Sequence, residues 1–83
     1  MTDNERIEAI AASIMRYLGI RPQSADTLEG IHRWWVEWGD QEAPPMLTEQ
    51  ALRMLVDSGQ LENIQIAGRL IWRLARRPWA GRP

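Results

Sequence analysis

The chain has 83 residues, enough for one small domain, because a chain of this length buries only about 60 to 65% of the surface that its unfolded form exposes. Apolar residues make up 45% and charged residues 25%, which is typical of a folded globular chain and argues against disorder and fibrous repeats. The formal net charge is −1, but residues 1–66 hold all eleven acids and five arginines, whereas residues 69–83 hold five arginines and no acid. This split favours a basic C-terminal end that faces an acidic partner or the acidic part of its own domain.

Two amphipathic helices are predicted in the first half of the chain. Residues 4–18 place apolar side chains on one stripe at helical spacing, and Gly19 is expected to end this helix. The stretch from Asp26 to Glu29 resembles a capping box, which predicts a second helix that runs to about Trp38. The core-facing stripe of this second helix is expected to consist of Leu28, Ile31, Trp34, Trp35 and Trp38.

A loop and a third helix follow. Residues 39–45 are predicted to form the loop, because the pair Pro44 and Pro45 cannot continue a helix. Thr48 is expected to cap the third helix, and Gly59 lies at the position that commonly follows a helix end. The inward face of this helix is predicted to hold Ala51, Leu52, Leu55 and Val56.

From residue 64 to residue 74 apolar side chains alternate around Ala67-Gly68-Arg69, which predicts a short β-hairpin. A loop of odd length would place both apolar sets on one face, whereas a two-residue loop would leave Ile64, Ile66 and Ile71 outside. We predict the odd loop, which exposes only Ile71. Residues 76–83 are predicted to form a basic tail without regular structure.

Several motifs resemble one known family. They are Ala51-Leu52, the run from Leu55 to Leu61 with Gly59, and the run from Gly68 to Leu74, preceded by Arg16 to Pro22 and Asp26 to Ile31. Together they are similar to the helices, glycine stop and wing of bacterial winged helix-turn-helix domains. The resemblance implies an α+β, mostly helical fold over residues 1–75, with three helices and a short C-terminal hairpin. That scaffold serves both nucleic-acid readers and protein-docking modules.

One reading of the resemblance is a DNA-binding transcriptional regulator. It would place the outward face of the third helix in the major groove, where Gln50 and Arg53 could contact base edges. The same face also carries Glu49 and Asp57, which oppose binding to a polyanion. Phosphates could instead be contacted by the arginines of the hairpin and tail, which are Arg69, Arg73, Arg76 and Arg77.

The five tryptophans favour a protein-docking reading, because so small a core cannot easily enclose all of them. We expect Trp35 and Trp72 in the core and Trp34 and Trp38 at its margins. Trp34 or Trp38 could then anchor a partner together with the neighbouring Pro44, Pro45 and Met46. The candidate partner-binding residues are Trp34, Trp38, Ile71 and, as part of a linear docking segment in the tail, Trp79.

Nothing in the sequence indicates an enzyme. His32 is the only histidine and is expected to be partly buried and structural, and no cysteine is present to pair with it. The serines lack a strained nucleophile turn, and no glycine-rich phosphate loop occurs. No catalytic residue, metal, cofactor or small-molecule substrate is therefore expected.

The leading prediction is that the chain is a non-catalytic winged-helix module that docks to another protein or to its own copy. The charge split suits such a partner, and DNA binding is the alternative. No apolar run approaches the roughly 18 residues of a membrane span, and the acidic N-terminus is unlike a secretory signal. A cytoplasmic location is accordingly expected.

Overall fold

Helix α1 spans Asp3–Ile20 and begins at a complete capping box. The Thr2 hydroxyl accepts a hydrogen bond from the Glu5 N–H, and the Glu5 carboxylate accepts one from the Thr2 N–H. The prediction that Gly19 ends this helix is wrong. Gly19 lies within the helix, and the Arg21 N–H still donates to the Tyr17 carbonyl at 2.9 Å. The helix therefore continues two residues beyond the predicted end and includes Ile20.

Helix α2 begins at Thr27, whose hydroxyl accepts a hydrogen bond from the Gly30 N–H at 3.3 Å. The cap therefore lies one residue after the predicted Asp26, whose carboxylate instead accepts from the Thr27 N–H. The helix makes an α-helical turn over Leu28–Gly30 and continues as a π-helix over Ile31–Trp35.

The predicted extension of α2 to Trp38 is wrong, since the backbone becomes extended at Val36. Two hydrogen bonds that involve side chains replace the missing helical ones. The Trp38 indole N–H donates to the His32 carbonyl at 2.7 Å, and the Glu37 N–H donates to the Ser13 hydroxyl at 3.1 Å. Side chains thus form hydrogen bonds with backbone groups at the end of α2, and residues 36–44 form a linker to the next helix.

Helix α3 spans Pro45–Asp57, with Pro45 at its first position, where the missing N–H costs no intrahelical bond. The predicted cap at Thr48 is wrong, because Thr48 lies inside the helix and is fully buried. The predicted stop is confirmed: Gly59 follows the C-cap with a positive φ of 83°, and its N–H donates to the Val56 carbonyl.

Three antiparallel strands form a sheet in the order β1-β3-β2, with β1 at Ala25–Asp26, β2 at Leu61–Ile66 and β3 at Arg69–Leu74. The sequence did not predict β1. The predicted odd hairpin loop is wrong, since Ile66 pairs with Arg69 across a two-residue turn. Ala67 and Gly68 both have positive φ there, as a turn matching the strand twist requires. Ile64, Ile66 and Ile71 consequently share the outer face of the hairpin.

The structure, a computed structural model, describes residues 2–76, so Arg77, Trp79 and the rest of the predicted tail lie outside the described residues. The α+β class is confirmed, with about 52% of these described residues in helices. Trp35 and Trp72 are core residues, as predicted, with 3% and 2% of their surface exposed. The buried apolar core draws on every helix and on the inner face of the sheet: Ile10, Ala11, Ile14, Leu18, Ile31, Trp35, Val36, Ala43, Leu47, Ala51, Leu52, Leu55, Leu61 and Trp72.

The hairpin turn provides one stability prediction. Ala67 adopts a left-handed conformation (φ 53°) that a Cβ disfavours and that asparagine tolerates well. We expect Ala67→Asn to raise the free energy of unfolding by about 0.5 to 1 kcal/mol, as measured by urea denaturation. The matched control is Ala12→Asn on the exposed face of α1, which should lower it slightly because asparagine is a poorer helix former. Destabilisation by Ala67→Asn would contradict the two-residue turn.

Candidate functional site

The largest exposed apolar side chains of the two N-terminal helices lie side by side. Trp34 is 70% exposed and Ile20 is 74% exposed, and both line one shallow groove of about 110 Å³ between α1 and α2. We call this surface the Trp34 groove. Its lining residues are Ser13, Arg16, Tyr17, Ile20, Trp34, Trp35 and Glu37.

Two features of the helices build the groove. The π-helix carries two consecutive tryptophans, and Trp35 is buried with its ring stacked on that of Tyr17 at a centroid distance of 4.8 Å. This stacking fixes the π-helix against α1. Trp34 lies at the surface, so the prediction that it belongs to the core-facing stripe of this helix is wrong. The continuation of α1 past Gly19 places Ile20 beside the groove. Local departures from a regular α-helix often accompany functional sites.

Charged residues lie beside this apolar centre. The Arg16 guanidinium and the Glu37 carboxylate approach to 3.8 Å, and both side chains are exposed. Among residues 2–76 the Trp34 indole N–H has no hydrogen-bond partner, so it can donate to a bound molecule. An apolar centre with a polar rim and an available donor is the composition of a small protein-docking surface.

The other predicted docking residues lie elsewhere. Trp38 is half-buried, held by its bond to the His32 carbonyl and packed on the His32 ring at 4.8 Å. Pro44, Pro45 and Met46, expected beside Trp34 or Trp38, do not line the groove. Ile71 is half-buried on the outer face of the hairpin, and Trp79 lies outside the described residues.

Sequence reasoning missed Ile20 and Tyr17 as parts of the site. The expectation that Gly19 ends α1 removed Ile20 from the helix. The signal that could have found them is the spacing of Tyr17 and Ile20, which is three residues and therefore places both on one face of a continued helix.

His32 is buried and connects the buried Thr48 hydroxyl to the exposed Glu42 carboxylate. Only 6% of His32 is exposed, its Nδ1 lies 2.7 Å from the Thr48 hydroxyl, and its Nε2 lies 2.6 Å from the Glu42 carboxylate. Because a carboxylate can only accept, Nε2 carries a proton, and the Thr48 hydroxyl donates to Nδ1 when the ring is neutral.

Thr48, His32 and Glu42 have the order of a nucleophile, base and orienting acid, but their geometry does not serve catalysis. The Thr48 hydroxyl is fully buried inside α3 and therefore cannot meet a substrate. His32 is buried more completely than expected and links α2, α3 and the linker. Its arrangement is that of a structural histidine.

Two of the arginines that could contact DNA form ion pairs with acidic side chains of the same chain. The Arg53 guanidinium donates to the Glu49 carboxylate at 2.9 Å, and the Arg73 Nε donates to the Glu62 carboxylate at 2.6 Å. The hydrogen bond from Arg73 holds the pKa of Glu62 below its ordinary value, against the opposing effect of burial.

The remaining candidates for DNA contact are dispersed. Gln50, Arg69 and Arg76 are exposed, and Arg77 lies outside the described residues. Beside the hairpin an open cleft of about 630 Å³ brings Arg69 together with Glu29 and Glu49. This cleft thus carries more negative than positive side chains, which disfavours a phosphate backbone.

Residues 2–76 contain no group of three or more His, Asp or Glu side chains placed to hold a metal ion. Within the same range none of the helices has the length and apolar character needed to cross a bilayer. No protein-family model matches the chain, and no curated protein or solved structure is significantly similar to it.

Proposed function

We propose that this chain is a non-catalytic winged-helix module of the cytoplasm that acts by binding polypeptide, either another protein or a second copy of itself. The order of elements supports the winged-helix assignment: helix, proline-containing turn, helix, loop, helix and hairpin. The short strand β1 lies within the first connection, between α1 and α2, and pairs with β3, which anchors the hairpin to the helices.

The exposed Trp34 beside the exposed Ile20 is the observation that carries this proposal. A tryptophan buries roughly 150 to 250 Å² when it is covered, and tryptophan is a typical residue at the energetic centres of protein interfaces. Two large apolar side chains together in one groove form a continuous surface rather than scattered exposure. We assign this groove to a foreign polypeptide, whose apolar side chain would occupy the centre.

Charge supports polypeptide over DNA. The outward face of α3 has a net charge of −1, and its only arginine, Arg53, is already paired with Glu49. Phosphate neutralisation supplies much of the affinity of DNA-binding proteins, so such a face contributes little. DNA binding remains the alternative and would depend on Gln50, Arg69 and Arg76.

The test is affinity capture from the native host followed by titration of the purified partner. We expect Trp34→Ala to weaken binding at least about 30-fold, the change that corresponds to loss of an interface hot spot. Met46→Ala is the matched control, because Met46 is a large exposed apolar side chain outside the groove. It should leave the affinity unchanged.

Two results would count against the proposal. Micromolar retardation of DNA that weakens steeply with salt, and is lost when Arg69 and Arg76 are replaced by alanine, would contradict polypeptide binding as the main activity. Equal losses for Trp34→Ala and Met46→Ala would show that the groove is not the binding surface.

A further inference from the structure

Strand β2 lies at an edge of the sheet, and alternate residues of β2 point their backbone groups away from β3. The Gln60 carbonyl accepts from the Ala75 N–H, which extends the ladder by one pair beyond Leu61 and Leu74. Bonded pairs alternate in an antiparallel ladder, so Glu62, Ile64 and Ile66 are the β2 residues bonded to β3. The N–H and C=O groups of Leu61, Asn63 and Gln65 therefore face the open edge, with which no other strand of residues 2–76 pairs.

This edge lacks the features by which proteins usually prevent edge-to-edge pairing. Its six residues contain no proline, no lysine and no interruption in the register with β3. The only charged side chain is that of Glu62, which Arg73 already holds. Such a strand is a template for another strand.

We infer that β2 pairs antiparallel with β2 of a second copy about a two-fold axis at Ile64, which joins two sheets into one of six strands. This inference rests on the self-association part of the proposed function. It commits to one register, in which Asn63 forms bonded pairs with Gln65 of the second copy. Ile64 then lies opposite Ile64 of the second copy in a closely spaced non-bonded pair.

The outer face of the joined sheet favours this register. Ile64 is the cross-strand neighbour of Ile71 in its own hairpin, so the two copies form one row of four isoleucines. The outer isoleucines that a two-residue turn exposes thereby gain apolar neighbours.

Charge is also complementary in this register. Glu62 lies opposite Ile66 of the second copy, and Ile66 is the cross-strand neighbour of Arg69 in that copy. Each Glu62 consequently has its own Arg73 as its direct neighbour on one side, and on the other side Arg69 of the second copy lies two strands away, beyond Ile66. No like charges lie opposite each other across the axis.

The test uses the full chain and measures its mass by sedimentation over a concentration series from about 1 to 500 µM, the range of weak to moderate association. We expect wild type to pass from monomer to dimer. Asn63→Pro should raise the dissociation constant at least about 100-fold, because proline removes an edge-facing N–H but no hairpin hydrogen bond. Asn63→Ala, which keeps the backbone donor, should remain within about threefold of wild type.

Two further measurements decide the matter if Asn63→Pro fails to fold. Arg69→Glu should raise the dissociation constant about tenfold, whereas Arg33→Glu on the exposed side of α2 should not. Hydrogen exchange of the Asn63 and Gln65 amides should slow as concentration rises, while Glu62, Ile64 and Ile66 are protected at every concentration.

Wild type that stays monomeric throughout would overturn the inference, and so would a dimer without concentration-dependent protection of the Asn63 and Gln65 amides. Trp34→Ala should dimerise like wild type. Failure of the β2 pairing would therefore leave Trp34-dependent binding of a foreign protein intact, and the two failures are distinguishable.

Discussion

Trp35→Ala is expected to lower the free energy of unfolding by about 3 to 5 kcal/mol. Trp35 is buried and stacks on Tyr17, so its removal leaves a cavity between α1 and the π-helix that the stacked ring had closed. A chain of this length has a total stability of about 4 to 12 kcal/mol. The variant should therefore lose a quarter or more of this stability, which urea denaturation followed by circular dichroism would measure.

Trp34→Ala is a matched control, because the same residue type is removed at the adjacent position. Trp34 is mostly exposed, so this variant should change the free energy of unfolding by no more than about 0.5 kcal/mol. Equal destabilisation by the two variants would contradict the assignment of Trp35 to the core and Trp34 to a binding surface.

Thr48→Val is expected to lower the free energy of unfolding by about 1 to 3 kcal/mol, although it preserves the shape of the side chain. The hydroxyl it removes is the partner of His32 Nδ1, and both residues are buried. The ring nitrogen would be left without a hydrogen bond in a place that water cannot reach.

A double-mutant cycle with His32→Leu isolates this interaction. Removing both polar partners should destabilise the protein by clearly less than the two single changes added together, since no unsatisfied buried group remains. Urea denaturation of the four proteins measures the coupling. Strictly additive losses would show that the 2.7 Å contact between His32 and Thr48 contributes nothing to stability.

The sequence predicted the fold correctly where the spacing of apolar residues matches their burial in the structure. The helical spacing of the apolar residues placed Trp35 in the core, and the alternation in the last segment predicted both the hairpin and the buried Trp72. The glycine stop after α3 was also correct, because Gly59 adopts the left-handed conformation that glycine favours.

Helix ends were less predictable, because residues distant in sequence satisfy them. The apolar stripe of α2 extends to Trp38, but the helix ends at Trp35 since Ser13 accepts the Glu37 N–H from 24 residues away. No pattern within the segment encodes that contact. The π-helix was not predicted either, and the continuation of α1 to Ile20 was missed because Gly19 was expected to end that helix. These two features form the Trp34 groove.

The wrongly predicted length of the hairpin loop also affected the prediction of the candidate site. An odd loop was predicted because it gathers the apolar residues on one face. The actual two-residue turn places an alanine at a position with positive φ, where alanine is unusual. The actual register sets Glu62 opposite Arg73, which pairs one of the candidate DNA-contact arginines with an acid of its own chain. By contrast, the pairing of Glu49 with Arg53 follows directly from their spacing of four residues.

The separation of β2 from the Trp34 groove has a consequence for valency. The groove is lined by residues from α1 to the start of the linker, and none of them belongs to the sheet. A two-fold assembly through β2 would leave both grooves unobstructed by the strand pairing itself. A ligand with two suitably spaced binding segments could then engage both at once, gaining roughly 10² to 10⁴ in avidity without a single new contact.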